Sequence, residues 1–99
     1  MEFIVPRSKG VAFHEWRFYD MENVPSVIIR SYSNHTYRLF TLRLDSKFSG
    51  RPCKKKDLMT LLKVSEKIGF EKTDRGLSCT IYQLKYNEVS YHDVSRVKS

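Results

Sequence analysis

The chain has only two cysteines and no apolar run longer than a few residues. Cys53 and Cys79 have no Cys-x-x-Cys motif and no second pair that would complete a zinc set. The apolar runs are as short as Val27-Ile28-Ile29, far less than a membrane-spanning helix needs. We therefore expect two free thiols in a reducing compartment, with a single disulfide between them as the alternative. We expect no metal and no membrane-spanning segment.

Features of a secretory signal are also missing, because residue 2 is acidic and Pro6 interrupts the short apolar start of the chain. We expect a cytoplasmic location. A nuclear location stays open for a eukaryotic host, since residues 51–56 also fit a nuclear-import signal. Composition does not reveal the source of the chain, and small basic proteins are common in viruses and mobile elements.

Motifs for catalysis are scarce. The sequence has no Gly-rich phosphate loop, no paired carboxylate spacing and no His-x-x-x-His. His14 and Glu15 are adjacent, so on a strand they point to opposite faces and form no dyad. We predict a protein that is not an enzyme and takes no cofactor. A small nuclease that depends on His14, His35 or His92 is the enzymatic alternative.

Positive charge is concentrated in one third of the chain. The stretch from Ser26 to Lys56 has eight basic residues and one acid, Asp45, and so carries the whole net charge of +7. The remaining residues comprise ten basic and ten acidic side chains, which cancel. A basic block inside a folding domain favours a polyanionic or acidic partner.

The pattern of apolar residues predicts a small α+β domain over residues 1–89, followed by a polar, flexible tail over residues 90–99. Leu58, Leu61, Leu62, Ser65 and Ile68 share one helical face, and Gly69 is suited to end that helix. The helix starts between Pro52 and Lys55. Strands are expected at Phe3–Val5, Val11–Tyr19, Val27–Tyr32, Tyr37–Leu44, Phe70–Thr73 and Leu77–Tyr86, with a turn at Asp74-Arg75-Gly76. The predicted order is β-β-β-β-α-β-β, an antiparallel sheet with one principal helix.

The second and third long strands are predicted to form a hairpin across a four-residue loop, residues 33–36. In that register Tyr32 lies opposite Tyr37, and Arg30 opposite Leu39. One face then receives the apolar residues Val27, Ile29, Phe40, Leu42 and Leu44, which the helix covers. The outward face receives Ile28, Arg30, Tyr32, Tyr37, Leu39, Thr41 and Arg43, a mixture suited to stacking on bases and neutralising phosphates.

Residues 47–56 are expected to form a basic loop that leads into the helix. Three lysines at a helix N-terminus oppose the helix dipole, which favours anions there, so a bound phosphate would offset their cost. Asp57 offers a simpler offset within the chain. The candidate nucleic-acid-binding residues are Arg30, Tyr32, Tyr37, Arg38, Arg43, Lys47, Arg51, Lys54, Lys55 and Lys56.

These features favour a small basic protein that binds DNA or RNA without catalysis. The alternative is a protein-interaction module or inhibitor that docks on an acidic surface of a larger protein. Its exposed Ile28, Leu39 and Tyr37 would form the centre of the interface. A homodimer is a further expectation, because a single helix leaves one sheet face uncovered and because Trp16 and Phe18 need burial.

Overall fold

The computed structural model describes residues 3–7 and 10–85, which form a six-stranded sheet with one helix packed on it. The predicted α+β fold and its β-β-β-β-α-β-β order are confirmed. The elements are β1 (Phe13–Tyr19), β2 (Pro25–Tyr32), β3 (Tyr37–Leu42), β4 (Phe48–Cys53), α1 (Lys55–Lys67), β5 (Phe70–Arg75) and β6 (Cys79–Leu84). The predicted tail, residues 90–99, lies outside the described residues.

The predicted order of elements along the chain agrees with the structure, although one predicted strand is wrong and one strand was missed. Phe3–Val5 is not a strand, and the basic stretch expected to be a loop contains β4. The predicted turn at Asp74-Arg75-Gly76 is also shifted, because Gly76 N donates to Cys79 O at 2.7 Å and the chain reverses at Leu77 and Ser78.

The strands lie in the order β4-β3-β2-β1-β6-β5, so β4 and β5 are the two edges. Neighbouring strands are antiparallel except β1 and β6, which are parallel. Because α1 connects one edge strand to the other, it has to cross a face of the sheet. We call this the helix face and the opposite side the open face.

The core lies between α1 and the helix face. Leu58, Leu61 and Ser65 are the buried positions of α1, as the helical period predicts. The apolar core consists of Phe18, Val27, Ile29, Leu39, Leu58, Leu61, Phe70 and Leu84. Each fully buried side chain of this kind contributes roughly 1.5–3 kcal/mol. The helix ends before Gly69, whose φ of 101° suits a residue without a Cβ.

Three hairpin loops share one geometry. Each has three residues, and the third is left-handed: Asn23 at φ 62°, His35 at 64° and Ser46 at 65°. Backbone bonds close the loops, such as Tyr32 N to Thr36 O at 2.9 Å and Arg43 N to Lys47 O at 2.7 Å. This loop is a common connection in β-hairpins.

The predicted four-residue loop between β2 and β3 is therefore wrong by one residue. Arg30 pairs with Arg38, and Ile28 pairs with Phe40. A one-residue slip moves every side chain of a strand to the other face, so Leu39 packs in the core and Phe40 lies on the open face. Leu44, expected under the helix, is fully exposed at a loop.

Edge strand β4 contains Gly50 and Pro52, which are typical of strand interruptions. Pro52 is tolerated because an edge strand leaves some N–H groups without a ladder partner. Gly50 pairs with Phe40, and a Cβ on Gly50 would lie 2.6 Å from a carbon of that ring. The close contact explains why a glycine stands there.

Candidate nucleic-acid interface

The ten predicted nucleic-acid-binding residues do not form one surface. Tyr32 and Arg38 are half-buried on the open face, whereas Tyr37 is half-buried on the helix face, beside the core. Arg30 is buried. The other six are exposed: Arg43, Lys47, Arg51, Lys54, Lys55 and Lys56. The predicted outward face that combined Arg30, Tyr32 and Tyr37 is wrong because of the register of β3.

Arg30 is the largest correction, because its side chain is only 2% exposed. Its Nε lies 2.6 Å from Oε2 of the equally buried Glu15, and its guanidinium also donates to the carbonyl oxygen of Pro6. The rings of Phe13 and Phe40 flank the guanidinium at 4.4 and 5.1 Å. In this position Arg30 supports the fold and does not reach a phosphate at the surface.

Glu15 also binds Arg17, whose Nε lies 2.5 Å from Oε1. Burial alone would lower the pKa of Arg17, but hydrogen bonds with Tyr19 and Glu15 and the charge of Glu15 raise it above the ordinary value. These contacts therefore favour the charged form of Arg17. Neither Glu15 nor Arg17 was singled out as a functional residue, because their proximity to Arg30 depends on the pairing of β1 with β2.

Arg43 is partly neutralised by a neighbour. Its Nη2 lies 3.0 Å from Oδ2 of Asp45, with the two side chains 57% and 44% exposed. An exposed pair of this kind adds little stability, yet it lowers the net charge of the loop between β3 and β4.

The five remaining cations form what we call the basic edge: Lys47, Arg51, Lys54, Lys55 and Lys56. Lys47 precedes β4, Arg51 lies within it, and the three lysines lead into α1. At about 3.4 Å per residue, the chain from Lys47 to Lys54 spans roughly 24 Å. Among the described residues none of the five side chains is ion-paired with a carboxylate. The basic edge is thus an extended row of exposed, uncompensated cations.

The start of α1 is organised by Asp57. Its Oδ2 accepts a hydrogen bond from Lys54 N at 2.8 Å, and Asp57 N donates to Lys54 O at 2.9 Å. A carboxylate in the first turn is favourable to the helix dipole. Asp57 thus offsets part of the cost of three lysines at this end of α1, in agreement with the simpler of the two expectations.

A depression of about 470 Å³ adjoins the basic edge. The loop after β2 supplies His35 and β3 supplies Tyr37, while Pro52, Lys54 and Lys55 form the other side. Pairing of Tyr37 with Cys53 brings these segments together. No sequence pattern indicates this depression, because residues 35 and 54 become neighbours only when β4 pairs with β3.

The histidines show no catalytic grouping in the described part of the chain. His14 Nε2 lies 2.9 Å from Oγ1 of Thr80, and His35 is exposed in its loop, whereas His92 lies outside the described residues. Within residues 3–7 and 10–85, no cluster of three or more His, Cys, Asp or Glu side chains could hold a metal ion.

The two cysteines are not joined by a disulfide. They lie on β4 and β6, four strand positions apart, which is roughly 19 Å at the usual spacing of strands. That separation exceeds the reach of a disulfide.

The chain matches no protein-family model, no curated protein and no solved structure. In the part of the chain that the structure describes, no helix has the length and apolar character to cross a membrane.

Proposed function

We propose that the protein binds nucleic acid without catalysis and contacts the phosphate backbone through the basic edge. One observation carries the proposal: five exposed cations follow one another along β4 and the start of α1 without a carboxylate partner among the described residues. Unpaired cations at this density repel one another, and a polyanion relieves the repulsion while releasing its own counterions.

The depression beside the basic edge supports the same proposal. A base that enters it meets Tyr37 and His35, while its phosphates remain near Lys54 and Lys55. Stacking on an aromatic side chain contributes roughly 1–3 kcal/mol per base and does not require a particular sequence. We therefore favour single-stranded over double-stranded nucleic acid. Arg30 is no longer part of the proposed interface, and Tyr32 and Arg38 lie on the other face of the sheet.

Salt dependence tests the proposal. Fluorescence anisotropy with labelled single- and double-stranded DNA and RNA should show affinity falling with salt. Five phosphate contacts predict a slope of log K against log salt of about −3.5 for single strands and about −4.5 for duplex DNA. An affinity independent of salt would contradict a phosphate interface.

A matched pair of triple variants locates the interface. Lys54→Glu/Lys55→Glu/Lys56→Glu should abolish binding at physiological salt. Lys63→Glu/Lys67→Glu/Lys72→Glu, which changes the net charge equally at exposed positions of α1 and β5, should retain most of it. Equal losses in the two variants would show that only net charge matters.

An acidic protein is the second candidate partner, and the open edge of β4 favours it. Among the described residues β3 is the one strand that pairs with β4, and edge strands of this kind can accept an added strand. Polyglutamate of matched length distinguishes the two candidates. If it binds as tightly as the oligonucleotides, the basic edge recognises acidic chains in general.

We also propose a cytoplasmic location, where the basic edge would meet the nucleic acid proposed as its partner. The homodimer stays a prediction, but its premise is weakened. Phe18 is 0% exposed within the single chain and needs no second copy for its burial, and Trp16 already packs half-buried against the core.

A further inference from the structure

Three arginines lie close together on the open face of the sheet. Arg17, Arg30 and Arg38 lie on the adjacent strands β1, β2 and β3, and Glu15 is the acid between them. Arg30 is paired directly with Arg38 across the strands, an arrangement of like charges that is usually unfavourable. These four residues, which we call the arginine cluster, carry a net charge of +2.

One donor of this cluster is buried without a partner. Arg30 Nε bonds Glu15 and Nη2 bonds the carbonyl oxygen of Pro6, but Nη1 has no hydrogen-bond partner among the described residues. A buried unsatisfied donor on a charged group costs about 1–3 kcal/mol or more. Buried polar groups without a partner are rare in native structures, so this donor calls for an explanation, such as a ligand or an ordered water.

The carbonyl oxygen of Pro6, which accepts the hydrogen bond from Nη2, belongs to residues 3–7, which we call the strap. The strap has no regular secondary structure, and its Ile4 is 72% exposed. A neutral backbone carbonyl there satisfies one nitrogen of the guanidinium. A carboxylate has two oxygens and would satisfy Nη1 and Nη2 together, in the bidentate geometry that arginine favours.

We propose that Arg30 is the centre of a carboxylate-binding site, which the Pro6 carbonyl of the strap occupies in the free protein. The ligand is a carboxylate carried by an extended peptide. This peptide displaces the strap and takes its place on the open face. The rings of Phe13 and Phe40 flank the guanidinium from the two neighbouring strands, so a planar carboxylate fits between them better than a tetrahedral phosphate. This inference does not rest on the nucleic-acid proposal.

Nuclear magnetic resonance of the full chain tests the site directly. The signals are the Nε–Hε groups of the arginines and the backbone amides of the strap. The probes are acetyl-triglycine with a free C-terminus, the same peptide amidated, and an amidated acetyl-tripeptide with one glutamate. The two carboxylate probes should shift the Arg30 signal saturably and release the strap amides. Their affinity should exceed that of the neutral probe by at least about tenfold, the worth of one charge-assisted hydrogen bond.

The two carboxylate probes also distinguish a terminal carboxylate from a side-chain one as the source. An equal response to the neutral probe, or no saturable response to any probe, overturns the proposal and leaves a buried water as the partner of Nη1. Inorganic phosphate that binds as tightly as the carboxylates overturns the preference for a planar anion.

Three substitutions supplement the titration, one of them a control. Arg30→Lys keeps the charge but removes the guanidinium that can bind a carboxylate through two nitrogens. It should weaken the binding of the carboxylate probes by about tenfold. If that variant does not fold, Arg38→Ala removes a half-buried cation of the cluster and should weaken binding severalfold. Arg43→Ala, an arginine outside the cluster, is the matched control and should leave binding unchanged. Equal affinity in Arg38→Ala and Arg43→Ala contradicts a role for the cluster.

Discussion

Arg30 and Arg51 belong to the same basic stretch of the chain, yet the structure gives them opposite environments. Arg30 lies on central strand β2, is 2% exposed and is paired with Glu15. Arg51 lies on edge strand β4, is exposed and is not ion-paired within the described residues. The position of a strand in the sheet, central or edge, therefore decides which of these two charges is buried and which is exposed at the surface.

The comparison also separates stability from binding. A buried ion pair is costly to break, because removing one partner leaves an uncompensated charge inside the protein. An exposed unpaired cation contributes almost nothing to the fold and is free to contribute to association. Substitutions in the two regions should therefore affect different measurements.

The largest expected effect is on stability at Arg30. Arg30→Met keeps the length of the side chain but leaves the buried Glu15 with the more exposed Arg17 as its remaining ion-pair partner among the described residues, so unfolding in urea should require about 3 kcal/mol less free energy. Arg51→Met is the matched substitution at the edge and should change stability by about 0.5 kcal/mol or less. Similar losses in both variants would contradict the distinction between central and edge arginines.

Gly50 tests the packing of Phe40, the ring that flanks Arg30 on one side. In Gly50→Ala the new Cβ would approach a ring carbon of Phe40 to 2.6 Å, so the ring has to move and stability should fall by about 1–3 kcal/mol. Gly76→Ala is the control, because its Cβ would meet no atom closer than 3.6 Å. If urea unfolding gives the same midpoint for both variants, Phe40 is not held against Gly50.

The next effect is on binding and compares the two edges of the sheet. Arg51→Gln should reduce the salt slope of nucleic-acid binding by about one, without a change in thermal stability. Arg75→Gln removes an exposed arginine from the other edge strand, β5, and should leave the slope unaltered. A change of slope in Arg75→Gln and none in Arg51→Gln would place the interface at the β5 edge and contradict the proposal.

The smallest effect is a dependence of stability on alkaline pH. Burial, together with the nearby Glu15, raises the pKa of the Cys79 thiol above its ordinary value of 9.0, although Arg17 opposes the shift. The fold favours the neutral thiol, so its contribution is complete below pH 9.0 and is lost as the pH rises through the raised pKa. Urea midpoints between pH 8 and 10 should therefore fall slightly more in the wild type than in Cys79→Ala. Urea midpoints that fall in parallel with pH in the two proteins would contradict a contribution of the Cys79 thiol to this pH dependence.

The helix could be predicted from the sequence because its signals are local. The spacing of Leu58, Leu61 and Ser65 and the glycine at position 69 are all visible within one stretch of chain. The order of helix and strands along the chain could also be predicted, although partly through two errors that compensated. Gly50 and Pro52 concealed β4, because an edge strand tolerates residues that a central strand excludes.

The register of β3 against β2 could not be predicted, because the left-handed residue in the loop that connects them is His35 rather than a glycine. That register decides which face receives Arg38, Phe40 and Tyr37. The Glu15–Arg30 pair depends on the register of β1 with β2 in the same way. Charge counted along the chain therefore identified the basic stretch correctly but assigned Arg30 to the wrong environment.

Chemical-shift mapping with a short single-stranded oligonucleotide tests the central claim most directly. On the full chain at low salt, the shifts should centre on residues 47–57 and on Tyr37 and His35. The Nε–Hε signal of Arg30 should stay in place. Shifts centred on Arg30 and the strap, with the basic edge unaffected, would contradict the account.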